Sequence, residues 1–86
     1  MITKYPVVYV QWSDVTGNWQ WCSIEEAKLT KAKECETTGF LITEDEIKIV
    51  MAASHCIADG DVMDFIAIPK VLVQKIVYLE EKCETK

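Results

Sequence analysis

Residues 65–79, FIAIPKVLVQKIVYL, decide how the whole chain is read. The run is almost continuously apolar, yet Ile68-Pro69-Lys70 interrupts its middle. A helix would be kinked at Pro69, which lacks an N–H and clashes with the preceding turn. A central strand could not use it either, because the proline removes a ladder donor. Two strands joined by a sharp corner satisfy both constraints. Residues 63–68 predict one strand, Pro69 with Lys70 and Val71 a tight 3₁₀-like turn, and residues 72–79 the last strand.

Working outward from that corner, the other segments are also short and mostly extended. Residues 7–12, VVYVQW, are β-branched and aromatic and lie between Pro6 and Ser13-Asp14, which predicts a first strand. Val8, Val10 and Trp12 share one of its faces, and Val7 and Tyr9 the other. A turn at Gly17-Asn18 leads to a brief extended piece, Trp19 to Trp21. Ser23 followed three residues later by Glu26 fits a capping box, so SIEEAKLTKAKE starts as a short helix. Its apolar stripe (Ile24, Ala27, Leu29) is thin, which places it on the surface of the sheet rather than in the core. TTGFLIT (37–43), the turn Glu44-Asp45-Glu46 and IKIVMAAS (47–54) read as a hairpin, with Ile47, Ile49 and Met51 on one face. HCIADGDV (55–62) is a loop around Asp59-Gly60-Asp61. The fold expected is mainly β: a small, strongly bent barrel of the SH3-like type, about five strands and one short surface helix. Residues 1–79 form the single domain, and 80–86 a charged tail that frays.

Composition bounds the function. The chain is 50% hydrophobic, more than so small a domain easily hides, and the surplus argues for a homo-oligomer. Net charge is −5 and all nine basic residues are lysine. Without the planar fork of arginine and with an acidic balance, nucleic acid is disfavoured as the main ligand. No stretch approaches the roughly 20 apolar residues of a membrane span. MITKYPVVYVQW lacks a long apolar core and a small-residue cleavage site, so a cytoplasmic location is expected. Cys22, Cys35, Cys56 and Cys83 are accordingly expected as thiols; a disulfide alternative would leave three pairings open.

The corner carries a resemblance. FIAIPKVLVQKIVYL resembles the strand, three-residue corner and strand that close Sm-like proteins, including the bacterial RNA-chaperone hexamers. The wider pattern VVYVQWSD, TGFLI and IPKVLVQKIVYL is similar to small phage-encoded proteins, some of which adopt Sm-like barrels. The resemblance implies that the last two strands pair edge to edge with neighbouring copies in a ring of roughly five or six, with Phe65, Ile66, Ile68, Val73, Ile76 and Val77 at the oligomer interface. It also implies RNA contacts at the Glu44-Asp45-Glu46 loop and at Pro69-Lys70. There the chain departs from the pattern. The loop is wholly acidic, and the corner has neither the arginine-glycine pair of Sm proteins nor the lysine-histidine pair of the bacterial hexamers. The helix, moreover, lies inside the chain.

Other constellations read as ordinary structure. His55-Cys56 with Asp59 and Asp61 has no second cysteine at metal-ligand spacing, and adjacent side chains on extended backbone point apart, so neither a metal site nor a nucleophile–base pair is expected. Cys56 is expected as a small buried hydrophobe. Asp59 to Asp64 lacks the closing glutamate of a calcium loop. No catalytic residue and no cofactor is expected. Trp19 and Trp21 share a face and either cover one end of the barrel or form an interaction surface. The expected function is therefore a non-enzymatic, ring-forming interaction module, with a host protein as partner where the gene is carried by a phage. The alternatives are an RNA-binding ring using Lys70, Lys48 and Lys75, and a small-molecule or nucleotide pocket between subunits.

Overall fold

The computed structural model describes residues 4–80. Five antiparallel strands form one open sheet: β1 (Val7–Asp14), β2 (Lys33–Glu44), β3 (Lys48–His55), β4 (Val62–Pro69) and β5 (Val73–Tyr78). Their order across the sheet is β4-β3-β2-β1-β5. A short helix, α1 (Ile24–Leu29), lies between β1 and β2, and a 3₁₀ turn (Lys70–Leu72) between β4 and β5.

The predicted corner is where the topology turns. Pro69 pairs with Lys48 at the end of the β3–β4 ladder, and the N–H of Lys70 donates to the Ile47 carbonyl at 2.7 Å. The chain then crosses from one edge of the sheet to the other, since β4 and β5 are the two outermost strands. In a flat sheet these edges would stand about 19 Å apart, four strand spacings. A three-residue 3₁₀ turn advances only about 6 Å. The sheet therefore curls along its length, while remaining open between β4 and β5.

β2 makes that coil possible. Its first part pairs with β1 from Lys33 to Phe40, and its last part with β3 from Phe40 to Glu44. The handover falls at Phe40, next to Gly39, with a register shift between Leu41 and Thr43 just beyond. The concave face holds the core: Val8, Val10, Trp12, Leu41, Ile49, Met51 and Ile68, with Cys35, Ile66, Leu72, Val73 and Ile76 packed against it. Trp12 satisfies its indole N–H by donating to Thr37 Oγ1 at 2.9 Å. Ile47, expected beside Ile49 and Met51, precedes β3 and is exposed.

The hairpin turns follow local chemistry. Asp45 accepts from the N–H groups of Ile47 and Lys48, both at 2.8 Å, and so closes the β2–β3 turn. In the β3–β4 loop Gly60 takes φ +83°, and the N–H of Cys56 donates to the Asp61 carbonyl. Asp64, inside β4, is held at φ 54°, the left-handed region that favours glycine. Asp64→Gly should therefore raise stability by about 0.5–1 kcal/mol, and Asp64→Val lower it by more than about 1 kcal/mol. A urea titration in which the glycine variant gains nothing would refute the strain.

Between β1 and β2 the structure departs from expectation. Ser23 caps α1 as predicted, its hydroxyl accepting from the Glu26 N–H at 3.1 Å. The helix, however, stops at Leu29, and it does not lie on the sheet. Residues 15–34 are all exposed, including Ile24 and Leu29. They form an arm that lengthens the molecule to 58 Å against 28 and 27 Å in the other directions. The radius of gyration is 17.1 Å, where a chain of this length packed as one compact body would give about 12 Å.

Candidate functional site

Side-chain alternation places a second surface on the convex side of the sheet. Val8, Val10 and Trp12 are buried in the core, so Val7, Tyr9 and Gln11 point the other way. Directly opposed residues share a face. Val7 opposes Phe40, Phe40 opposes Ala52, and Ala52 opposes Phe65, so one apolar row crosses four strands. Tyr5 and His55 meet edge to face at 5.1 Å between ring centroids, with Phe40 6.5 Å from His55. At the β4 end the row is open to solvent: Phe65 is 68% exposed and Met63 61%. Both residues border the free edge of the sheet.

That edge is one of two. Among the described residues β4 pairs only with β3, and β5 only with β1. The Leu79 N–H donates to the Val7 carbonyl at 2.9 Å, which sets the alternation of the β1–β5 ladder. The N–H groups of Ile76 and Tyr78 consequently face away from β1, where a further strand could pair.

The expected interface residues sort unequally. Phe65 is exposed, while Ile66, Val73, Ile76 and Val77 are half-buried. Ile68 is fully buried in the core of its own sheet, so its side chain is unavailable to a neighbour. Strand alternation explains the difference, since Ile68 and Phe65 lie on opposite faces of β4.

The two loops expected to contact RNA do meet at one end of the sheet, but carboxylates hold their lysines. Lys70 Nζ lies 2.6 Å from Glu44 Oε2, and Lys48 Nζ 2.9 Å from Asp45 Oδ2. The Lys70 ammonium and the Tyr78 hydroxyl, which donates to Glu44 at 3.1 Å, draw the Glu44 carboxyl below its usual range. Asp45 is lowered to about 2 by the Lys48 ammonium and by the N–H groups of Lys48 and Ile47. Lys75 sits apart on β5, opposite Gln11. These loops thus present paired charges, a poor cradle for phosphate.

The convex face also carries a polar network that the sequence did not reveal. Gln11 Nε2 donates to the Tyr9 hydroxyl at 2.8 Å, and that hydroxyl donates to Glu36 at 2.5 Å. Gln74 donates to Ser13 Oγ at 2.7 Å, and Ser13 to Glu34 at 2.9 Å. The Glu36 carboxylate raises the Tyr9 pKa by accepting this bond. An open cleft of about 330 Å³ beside the network is lined by Gln11, Glu34, Cys35, Glu36 and Gln74. These side chains are scattered over three strands in sequence, and only the register assembles them.

Trp19 and Trp21 do not pack over the sheet. Both are fully exposed on the arm, and Cys22 beside them is exposed as well. Cys56, expected to be buried, is exposed in the β3–β4 loop, while Cys35 is half-buried and Cys83 lies outside the described residues. Among the described residues no group of three or more His, Cys, Asp or Glu is placed to hold a metal ion, and no helix is long and apolar enough to cross a membrane. No family model, curated protein or solved structure matches the chain.

Proposed function

We propose that the protein is a non-enzymatic interaction module, a barrel of the SH3-like and Sm-like kind that self-associates by joining β4 of one copy to β5 of the next. The observation that carries this reading is the pair of free sheet edges, bordered by exposed Phe65 and Met63 on one side and by the outward N–H groups of Ile76 and Tyr78 on the other. Joining them would satisfy a row of backbone donors and acceptors and continue the convex apolar row from copy to copy. A ring is the closed form of such a heterologous contact. Five or six copies would carry a formal charge of about −25 to −30. Such a field repels nucleic acid and suits a basic protein surface as partner, a host protein in the case of a phage-borne gene.

Size-exclusion chromatography with light scattering tests the join. A particle of several 9.8-kDa copies is expected at micromolar concentration. Tyr78→Pro removes an outward donor while leaving the β1 ladder paired, and should reduce that particle to monomers. Tyr78→Phe, which loses only the hydroxyl, should leave it intact. A monomer at high micromolar concentration, or a particle indifferent to the proline, would sink the reading.

A further inference from the structure

We propose that the arm between β1 and β2 docks through Trp19 and Trp21 onto the exposed Phe65–Met63 end of the apolar row on a second copy. The inference rests on the self-association reading only in taking another copy as the occupant; it does not require the β4–β5 join. The starting observation is an arm without internal support. Residues 15–34 are all exposed, and α1 has six residues, none of them buried. An isolated helix needs roughly 12–15 residues to be even marginal in water, so α1 gains little without a surface to pack on.

The side chains offered are those of an interface centre. Trp19 and Trp21 are fully exposed, and Ile24 and Leu29 largely so. Two indoles at about 150–250 Å² each, with two aliphatic side chains, present on the order of 600 Å². One partner in a stable protein–protein interface contributes about 800 Å², so the arm supplies most of one side. Tryptophan is also among the residues that most often dominate binding energy.

The second copy offers a matching surface. Phe65 and Met63 lie at the sheet edge, and Ile57 in the adjoining loop is exposed as well. This patch is flanked by Asp59, Asp61 and Asp64, with no lysine between residues 49 and 69. The returning half of the arm, residues 27–34, bears Lys28, Lys31 and Lys33 against Glu34 alone, all exposed, while Glu25 and Glu26 at the start of α1 make the arm as a whole neutral. Aromatic side chains on the arm thus meet an apolar patch, and the lysines of its returning half meet an acidic rim. Geometry separates the two within one copy. The arm leaves the sheet at the Asp14–Lys33 pair, seven residues along β2 from the Phe40 position that marks the row. That is about 24 Å of strand.

Fluorine NMR of the full chain labelled with 5-fluorotryptophan, assigned with single Trp→Phe variants, tests the contact over a dilution series. Trp19 and Trp21 should be shielded from solvent in the assembled protein and become exposed on dilution, whereas Trp12 stays shielded throughout. Trp19→Ser/Trp21→Ser should raise the dissociation constant roughly tenfold or more. Phe65→Ser should expose both indoles. Shielding that persists in the diluted monomer would mean that the arm folds onto its own sheet, and would overturn the inference. Exposed indoles in an assembled particle would overturn it while leaving the β4–β5 join standing. Shielded indoles in a particle indifferent to Tyr78→Pro would support the arm and remove the join. A monomer at every concentration would overturn both.

Discussion

Gly39→Val should destabilise the protein by about 3 kcal/mol, a large share of what so small a domain holds in reserve. A Cβ at this position would stand 2.7 Å from the Ala52 carbonyl oxygen and 3.3 Å from its carbon. Both are backbone atoms, so no side chain can swing aside. To admit a valine, β2 and β3 must part where Phe40 pairs with Ala52 and Leu41 with Met51, loosening Leu41, Met51 and Ala52, which are almost wholly buried. Two opposing effects favour the substitution. Valine is the better strand former, and losing a glycine restricts the unfolded chain, together worth roughly 1 kcal/mol. The contact must overcome both, so a clear loss in a urea titration identifies close strand approach as the cause. A variant within about 0.5 kcal/mol of the parent would show that the sheet can curl without a glycine beside its handover point.

The second large effect lies in β4 and separates core from interface. Ile68→Ala should cost about 3 kcal/mol, because Ile68 is fully buried opposite Ile49, also fully buried, and the cavity left between them cannot collapse onto a paired backbone. Phe65→Ala, three residues earlier on the opposite face, should change the stability of the monomer by no more than about 0.5 kcal/mol. Its effect should appear as weaker self-association. Unfolding curves at a concentration where the protein is monomeric, set beside light scattering at a concentration where it assembles, read both quantities. Equal losses of stability in the two variants would mean that Phe65 is part of the protomer's own core.

The unequal legibility of these features has a physical basis. Pro69 marked its corner because a fixed φ and a missing N–H act within one residue. Ser23 marked the start of α1 because its hydroxyl reaches only to the Glu26 N–H. Asp45 closes a turn with groups two and three residues away. Alternation along β1 likewise disclosed that Val8, Val10 and Trp12 share the core face. Each of these signals is contained in a few consecutive residues.

What the sequence by itself determined, then, is the kind and order of the elements: short antiparallel strands, a capped helix and a proline corner before the last strand. Only the tertiary structure decided their register, and with it the row through Val7, Phe40, Ala52 and Phe65, the close approach at Gly39 and the burial of Ile68 rather than Phe65. It also decided that Trp19 and Trp21 ride on an arm instead of covering the sheet. The reason is that pairing between residues tens of positions apart depends on which strands lie side by side, and no local preference of backbone or side chain carries that information.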